Sequence, residues 1–174
     1  YALALTPVAE TTADPNSYGF REGRSCADAM VQCYLCLAKR RSARWIREAD
    51  IKSCFDRIDH AWILNSTLMD RKMLRVWLKA GYMDKGKLYP TKAGTPQGAI
   101  ISPVLATMTL DGLETAVKTS VPKNAKVNVI RYADDFVVTG ESKQILEAKS
   151  CPSYMRFSKR EGYSSQERKR RLHG

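Results

Sequence analysis

The sequence lacks any long apolar run, and no stretch approaches the ~20 residues that cross a bilayer. It therefore does not predict a membrane-spanning protein. Histidine is scarce, with two residues at 60 and 173. The five cysteines are an odd number without a recognisable secretory leader, which predicts reduced thiols in an intracellular protein. Cys33 and Cys36 have the C-x-x-C spacing, but they lie in a helical pattern, so helix packing is a better interpretation than zinc binding.

Length and charge narrow the class of protein further. A chain of 174 residues can form one domain with a substantial core but not two ordinary domains. Its 29 Lys and Arg against 18 Asp and Glu give a net charge of +11, which favours a polyanionic partner. Eight of the basic residues and two Glu lie in 149–174, so this basic tail carries +6 by itself. Such a segment is expected to be disordered or to act as a nucleic-acid arm, and a shifted reading frame explains it equally well.

Two adjacent carboxylates stand between two apolar segments. The tetrapeptide Tyr132-Ala133-Asp134-Asp135 is expected to form the tight turn of a β-hairpin. Neighbouring carboxylates repel one another and are usually accompanied by a divalent cation or by basic groups. Asp50 ends a further strand-like segment and has the right setting to join the pair.

Hydrophobic periodicity predicts the order of the elements. Ser25 followed by Asp28 matches a capping box, and Pro103 suits the first turn of a helix. The expected elements are a helix over 26–41, a strand over 43–51, helices over 60–68 and 71–80, a hairpin or loop over 81–94, a helix over 102–118 and a hairpin around 133–134. This order fits an α+β domain in which helices cover one face of an antiparallel sheet.

Four motifs make the sequence recognisable. They are SYGFREGRS at 17–25, DIKSCFDRI at 50–58, GTPQGAIISP at 94–103 and YADD at 132–135. Together they resemble the reverse transcriptases of group II introns, a family whose members also act as intron maturases. The resemblance covers about residues 15–147 and implies a palm-type antiparallel sheet with helices packed on one face.

The same resemblance divides the chain. Residues 1–147 are expected to form a partial reverse transcriptase domain, with a fingers remnant over about 1–42 and the palm over about 43–147. Residues 148–174, which contain the basic tail, depart from the family pattern. Because whole polymerases of this family are larger, the sequence is expected to be a piece of one.

By resemblance, Asp50 and Asp134 are metal ligands, the carbonyl oxygen of Ile51 assists them, and Asp135 is a third acid. The family implies two Mg²⁺ ions, and Mg²⁺ takes oxygen ligands. Two ions can activate a primer hydroxyl and neutralise the pyrophosphate that leaves. The plainer alternative is that Asp50 merely caps the end of a strand.

The resemblance also implies a nucleotide site. Phe55 corresponds to the aromatic residue under the nucleotide sugar, where a flat ring leaves no volume for a 2′-hydroxyl; burial in the core is its plainer interpretation. Gln97 and Gly98 correspond to the lining of the nucleotide pocket. Arg21 and Arg24 are candidates for contacts with the triphosphate or the template backbone, because guanidinium groups suit phosphate oxygens. A solvated turn before the next helix is the alternative for these two.

The implied function is an RNA-directed DNA polymerase that binds an RNA template, intron RNA, a DNA primer and deoxynucleoside triphosphates, and no membrane. Two alternatives stay open: an RNA-binding maturase that promotes splicing without polymerising, and a decayed, inactive fragment. Ala99 and Thr107 stand where the family commonly has Gly and Asn, which motivates the second alternative. The expected compartment is the bacterial cytoplasm or an organelle.

Overall fold

The structure, a computed structural model, describes residues 2–52, 59–90, 94–95, 101–150 and 164–168. Within these ranges the backbone alone is described at 50, 52, 66, 82, 84, 88, 149, 150 and 164–168. None of the helices in these ranges is both long enough and apolar enough to cross a membrane.

The helices of the described ranges include the predicted ones in the predicted order, whereas the helices over 2–12 and 143–145 were not predicted. They are α1 (Ala2–Thr12), α2 (Cys26–Leu37), α3 (His60–Ser66), α4 (Arg71–Lys79), α5 (Ser102–Leu110), α6 (Leu113–Thr119) and α7 (Lys143–Ile145), which continues into a π-helical turn (Leu146–Ser150). Ser25, Asp59 and Asp70 accept hydrogen bonds from first-turn N–H groups of α2, α3 and α4. These three helix starts are therefore determined by local sequence.

The predicted helix over 102–118 is wrong as a single helix. The chain leaves the helix after Leu110 and re-enters it at Leu113. Gly112 lies between them with φ of +92°, a left-handed conformation that glycine adopts without steric cost. The apolar stripe of this segment continues across the break, which is why the periodicity did not reveal it.

The predicted helix over 26–41 ends four residues early, at Leu37. A closed turn replaces its last part: the N–H of Lys39 donates to Oγ of Ser42, and the N–H of Ser42 donates to the carbonyl oxygen of Lys39. A serine hydroxyl that binds the backbone competes with helix propagation.

The strands form one large sheet and one small hairpin. The large sheet has the order β4-β5-β1-β6, and all of its neighbouring strands are antiparallel. The sequence predicts a hairpin or a loop over 81–94, and the structure shows a hairpin over 82–89, formed by β2 and β3. The bounds are β1 (Trp45–Lys52), β2 (Tyr82–Asp84), β3 (Lys87–Tyr89), β4 (Asn128–Tyr132), β5 (Asp135–Gly140) and β6 (Ser164–Arg168).

Strand β6 comes from the basic tail. It pairs with β1 on the side away from β5, with Ser165 opposite Ile51. Disorder, which the composition predicted for the tail, therefore does not apply to residues 164–168. Pairing on both sides makes β1 an interior strand of the sheet.

Side chains of the large sheet alternate between two faces. On one face, the sheet residues Ala49, Ile51, Val129, Phe136 and Val138 join the helix residues Ile63, Leu74, Leu105, Leu110 and Val117 in the main core. On the other face, Ile130 packs with Tyr18 and with Ala29 of α2. Helices on one face are thus confirmed, and α2 is an additional helix on the opposite face.

Residues 13–24, which we call the strap, link α1 to α2 and bind α6 through a buried carboxylate. Oδ2 of Asp14 accepts hydrogen bonds from the N–H groups of Gly112 and Glu114, both at 3.1 Å. Gly112 precedes α6 without a side chain that could cap it, so Asp14 supplies the cap. The Glu114 carboxylate accepts in turn from the N–H and Nδ2 of Asn16 at 3.2 and 2.8 Å.

A buried ion pair joins the end of this helical region to β4. Nη2 of Arg131 donates to Oδ1 of Asp111 at 3.0 Å, and both side chains are less than a tenth exposed. Burial raises the pKa of Asp111 from 3.8 to about 6, and the nearby Asp14 carboxylate adds to the rise, although Arg131 acts in the opposite direction. Burial also raises the pKa of Asp14.

Replacing Asp14 with alanine is expected to lower the free energy of unfolding by about 1–3 kcal/mol, because two N–H groups at the start of α6 lose their acceptor. Urea unfolding followed by circular dichroism measures this change. Asp14→Asn keeps an acceptor oxygen and is the matched control. Equal losses in the two variants would contradict the capping role.

Asp111→Asn is expected to flatten the pH dependence of stability. Because the folded pKa of about 6 exceeds the unfolded value of 3.8, the folded state binds the proton more tightly between these values. The contribution of Asp111 to the free energy of unfolding is therefore largest below about pH 4 and is lost as the pH rises through about 6. Urea unfolding of both proteins between pH 4.5 and 7.5 tests this, and parallel curves would refute it.

Candidate active site

The turn between β4 and β5 carries the paired carboxylates. Tyr132 and Asp135 are the last pair of the hairpin, so Ala133 and Asp134 are its two loop residues. Two-residue turns that match the twist of the strands require positive φ. Ala133 has φ of +56°, a conformation in which a side chain is strained. Contacts from neighbouring segments are therefore needed to hold the turn.

Strand β1 brings the third carboxylate position to this turn. Its register sets Asp50 opposite Asp135. The N–H of Ile51 donates to the carbonyl oxygen of Asp134 at 3.2 Å. Directly opposing residues in antiparallel strands have Cβ atoms about 4.5–5.5 Å apart and share a face. The positions of Asp50 and Asp135 are thus side by side in the sheet.

The donor types at this turn suit a hard cation. Asp135 is exposed, Asp134 is half-buried and Ile51 is fully buried. The side chain of Asp50 lies outside the described residues, and the side chains that are described include no group of three or more His, Cys, Asp or Glu placed to hold a metal. Mg²⁺ binds carboxylate and carbonyl oxygens, and the register brings residues of these types to the turn.

The three expected residues of the nucleotide pocket, Phe55, Gln97 and Gly98, lie outside the described residues. The segment that leads to Gln97 and Gly98 is held by a contact between described residues. The carbonyl oxygen of Gly94 lies 2.7 Å from Nε2 of His60, at the start of α3. Gly94 also has φ of +76°, so glycine is favoured at this bend.

Arg21 is buried, and its guanidinium group contacts protein groups. Nε and Nη2 donate to the Glu10 carboxylate at 2.6–3.0 Å, and Nη1 donates to the carbonyl oxygens of Asp14 and Ser17, both at 3.0 Å. The Arg21 guanidinium in turn holds the pKa of Glu10 below its usual value. This placement gives Arg21 a structural role in the strap, in contrast to the phosphate contact that the sequence suggested.

Arg24 is half-buried at the end of the strap. Nη1 donates to the carbonyl oxygens of Pro15 and Ser17 at 2.6 and 3.1 Å, and the guanidinium carbon lies 5.4 Å from the ring centre of Tyr18. These contacts orient the side chain while part of it stays accessible. Arg24 therefore remains suited to a polyanionic ligand.

The strap lies along the outer edge of β4 and reaches the turn. The N–H of Tyr18 donates to the carbonyl oxygen of Arg131, and the N–H of Arg131 donates to that of Asn16, both at 2.9 Å. Gly19 then packs against Ala133 so closely that an added Cβ would lie 2.2 Å from its backbone nitrogen. Only glycine fits at position 19 without a shift of the turn.

Arg131 also contacts the turn, through its side chain. Nη1 donates to the carbonyl oxygen of Ala133 at 3.3 Å, while Nη2 is bound by Asp111. Arg131, Asp111 and Gly19 are not among the site residues that the sequence predicts. Gly19 stands in the SYGF segment of the first motif, but nothing in the sequence indicated that it would contact Ala133.

A cavity of about 310 Å³ lies between α2 and the sheet, beside the turn. Its lining includes Tyr132 and Asp135 from the hairpin, Glu48 from β1 and Cys33 from α2. Burial raises the pKa of the Cys33 thiol, so this group is protonated at neutral pH. Most of the residues that line the cavity are apolar, so a mainly apolar wall lies next to the carboxylates of Glu48 and Asp135.

Comparisons with known proteins identify the family of this chain. Residues 1–173 match the family described as reverse transcriptase (RNA-dependent DNA polymerase), so the match continues through the basic tail. Group II intron-encoded protein LtrA of Lactococcus lactis subsp. cremoris is 40% identical over 120 residues, which are 64% of this chain and 19% of LtrA. Protein YkfC of Escherichia coli is 30% identical over 181 residues, which are 82% of this chain and 48% of YkfC.

The fold has similar solved structures. Telomerase from Candida albicans, in complex with the TWJ fragment of telomeric RNA, superposes with a TM-score of 0.64 at 12% identity, covering 99% of this chain and 34% of that one. This likeness shows the fold alone. The chain spans less than half the length of each of these three proteins. The motifs, the sheet and the match over nearly the whole sequence show that this chain belongs to the reverse transcriptase family.

Proposed function

We propose that this chain supplies the nucleotidyl-transfer site of an RNA-directed DNA polymerase of the group II intron type. The observation that supports this most directly is the pairing of β1 with the β4–β5 hairpin, which sets Asp50 opposite Asp135 and ties Ile51 to Asp134. Reverse transcriptases generally use divalent metal ions. The oxygen donors of this turn suit such ions.

In the proposed site, Asp50, Asp134 and the carbonyl oxygen of Ile51 would hold Mg²⁺, and Asp135 would add a further carboxylate. When bound there, two Mg²⁺ ions would supply activation of the primer 3′-hydroxyl and neutralisation of the charge on the departing pyrophosphate. The backbone of the turn is held by β1, β4 and the strap. A turn held in this way needs little backbone rearrangement during the reaction, which favours catalysis.

The proposal extends to the nucleotide. Phe55 lies under the sugar and excludes a 2′-hydroxyl, while Gln97 and Gly98 line the pocket near the templating base. Arg24 contacts the triphosphate or the template backbone. Arg21 supports Arg24 indirectly by holding the strap, because the Arg21 donors bind Glu10 and strap carbonyl oxygens. The fingers remnant covers about 1–42 and the palm about 43–147.

The proposed partners follow from the same chemistry. They are an RNA template, the intron RNA, a DNA primer and deoxynucleoside triphosphates. A net charge of +11 supports binding to these polyanions, although it carries no sequence specificity. The proposed location is intracellular, in a bacterial cytoplasm or an organelle, where intron RNA is made.

Asp134→Ala is expected to reduce primer extension on an RNA template by about 10²-fold or more, because a metal ligand is removed. The assay uses a chimera in which this chain replaces the matching stretch of LtrA. Glu141→Ala is the matched control, since it also removes one carboxylate near β5, from an exposed pair with Lys126.

Full extension by the Asp134→Ala chimera would overturn the proposed site. The competing maturase hypothesis predicts a different pattern. Intron splicing survives Asp134→Ala, and neither the unchanged chimera nor the Asp134→Ala chimera extends a primer. Circular dichroism of both variants shows whether the fold is retained.

Phe55→Val is expected to raise the incorporation of ribonucleotides relative to deoxynucleotides by about 10- to 100-fold, because a smaller side chain leaves room for the 2′-hydroxyl. Single-nucleotide extension by the same chimera with each nucleotide type measures the ratio. An unchanged ratio would show that Phe55 does not face the sugar.

A further inference from the structure

Arg131 occupies a position from which one side chain can bind both the core and the turn. We propose that Arg131, held by Asp111, is a positioning residue that fixes the Ala133–Asp134 turn and thereby sets the metal affinity of the site. The inference rests on the proposed function, because it assumes that the turn binds metal. The carboxylates of Asp134 and Asp135 remain the ligands, and Arg131 acts only through the turn.

Arg131 approaches the turn from the face of the sheet opposite to Asp135. In the hairpin register Arg131 pairs with Phe136, which belongs to the main core, whereas Tyr132 pairs with Asp135. Paired residues share a face and successive residues alternate. The guanidinium group therefore lies beneath the turn, away from the side where a metal and a nucleotide would bind.

The contact falls at the strained residue. Ala133 has φ of +56°, and its carbonyl oxygen is the one that accepts from Nη1 of Arg131 at 3.3 Å. An alanine keeps such a conformation only where its surroundings impose it. The charged guanidinium group of Arg131 stabilises this conformation by donating to the carbonyl oxygen.

Asp111 fixes the guanidinium group in turn. Nη2 donates to Oδ1 of Asp111 at 3.0 Å, so two ends of one planar group bind the carboxylate and the turn. A lysine carries its donors on a single nitrogen and cannot reproduce this fork. The pair is almost fully buried, which limits its side-chain motion.

The strap also contacts the turn. Gly19 lies against the backbone of Ala133, and the adjacent backbone of Arg131 is bound to Asn16 and Tyr18. The turn is thus held by the strap, by the guanidinium group and, through the N–H of Ile51, by β1. Movement of Ala133 away from this position would have to break more than one of these contacts.

The test compares Arg131 with a buried side chain of the main core. Arg131→Met removes the buried guanidinium group that touches the turn, whereas Leu78→Ala shortens a buried side chain of α4 that has no part in the proposed site. Mn²⁺ binding is measured by titration calorimetry without nucleotide. Arg131→Met is expected to weaken binding by about tenfold or more, as is typical when a group that orients a metal ligand is removed. Leu78→Ala is expected to change it less than about twofold.

A second readout needs no metal. The N–H of Ile51 is bound to Asp134, so its hydrogen exchange reports on the docking of the turn. Arg131→Met is expected to accelerate hydrogen exchange at Ile51 relative to Leu74. The N–H of Leu74, in the remote helix α4, donates to the carbonyl oxygen of Asp70. Arg131→Lys, which folds more readily because it keeps the charge, is expected to show both effects in weaker form.

The outcomes separate the two proposals. Mn²⁺ binding that Asp134→Ala leaves intact would overturn the proposed metal site and the positioning role with it. Binding that Asp134→Ala abolishes, but that Arg131→Met and Arg131→Lys leave unchanged, would overturn the positioning role alone. Equal effects of Arg131→Met and Leu78→Ala would also overturn it, because general loss of stability would then explain the result.

Discussion

The antiparallel pairing of β1 with β5 is the constraint on which the rest of the structure depends. It places Asp50 opposite Asp135 and lets Ile51 bind the Asp134 carbonyl, so three acidic positions from distant parts of the chain meet at one turn. A shift of one residue would exchange the two faces of a strand and separate these positions. The register is set by Ala49, Ile51, Phe136 and Val138, which all face the main core. The core and the site are therefore specified by the same alternation.

Local signals explain what could be predicted. The YADD turn, the strand that ends near Asp50 and the capping box at Ser25 each depend on residues within a few positions of one another. The family resemblance predicted that Asp50 lies beside the hairpin, and the strand register agrees with that prediction. The break at Gly112 was missed because a single glycine inside an apolar stripe is compatible with a continuous helix.

The remaining features depend on contacts between remote parts of the chain. Asp14 caps a helix that begins about a hundred residues later, and Arg21 binds Glu10 where a phosphate contact was expected. A buried arginine and an exposed one look the same in a sequence, because burial depends on tertiary packing. For the same reason the fit of Gly19 against Ala133 had no signal that a single sequence could supply.

The strap has a further consequence at the edge of the sheet. Its backbone from Asn16 to Tyr18 bonds β4 on the side away from β5, where the N–H and carbonyl groups of β4 would otherwise face solvent. Uncovered strand edges are templates for pairing with other chains. A truncated protein that begins after the strap would expose β4 and associate through it. The strap therefore protects the β4–β5 hairpin from pairing with other chains.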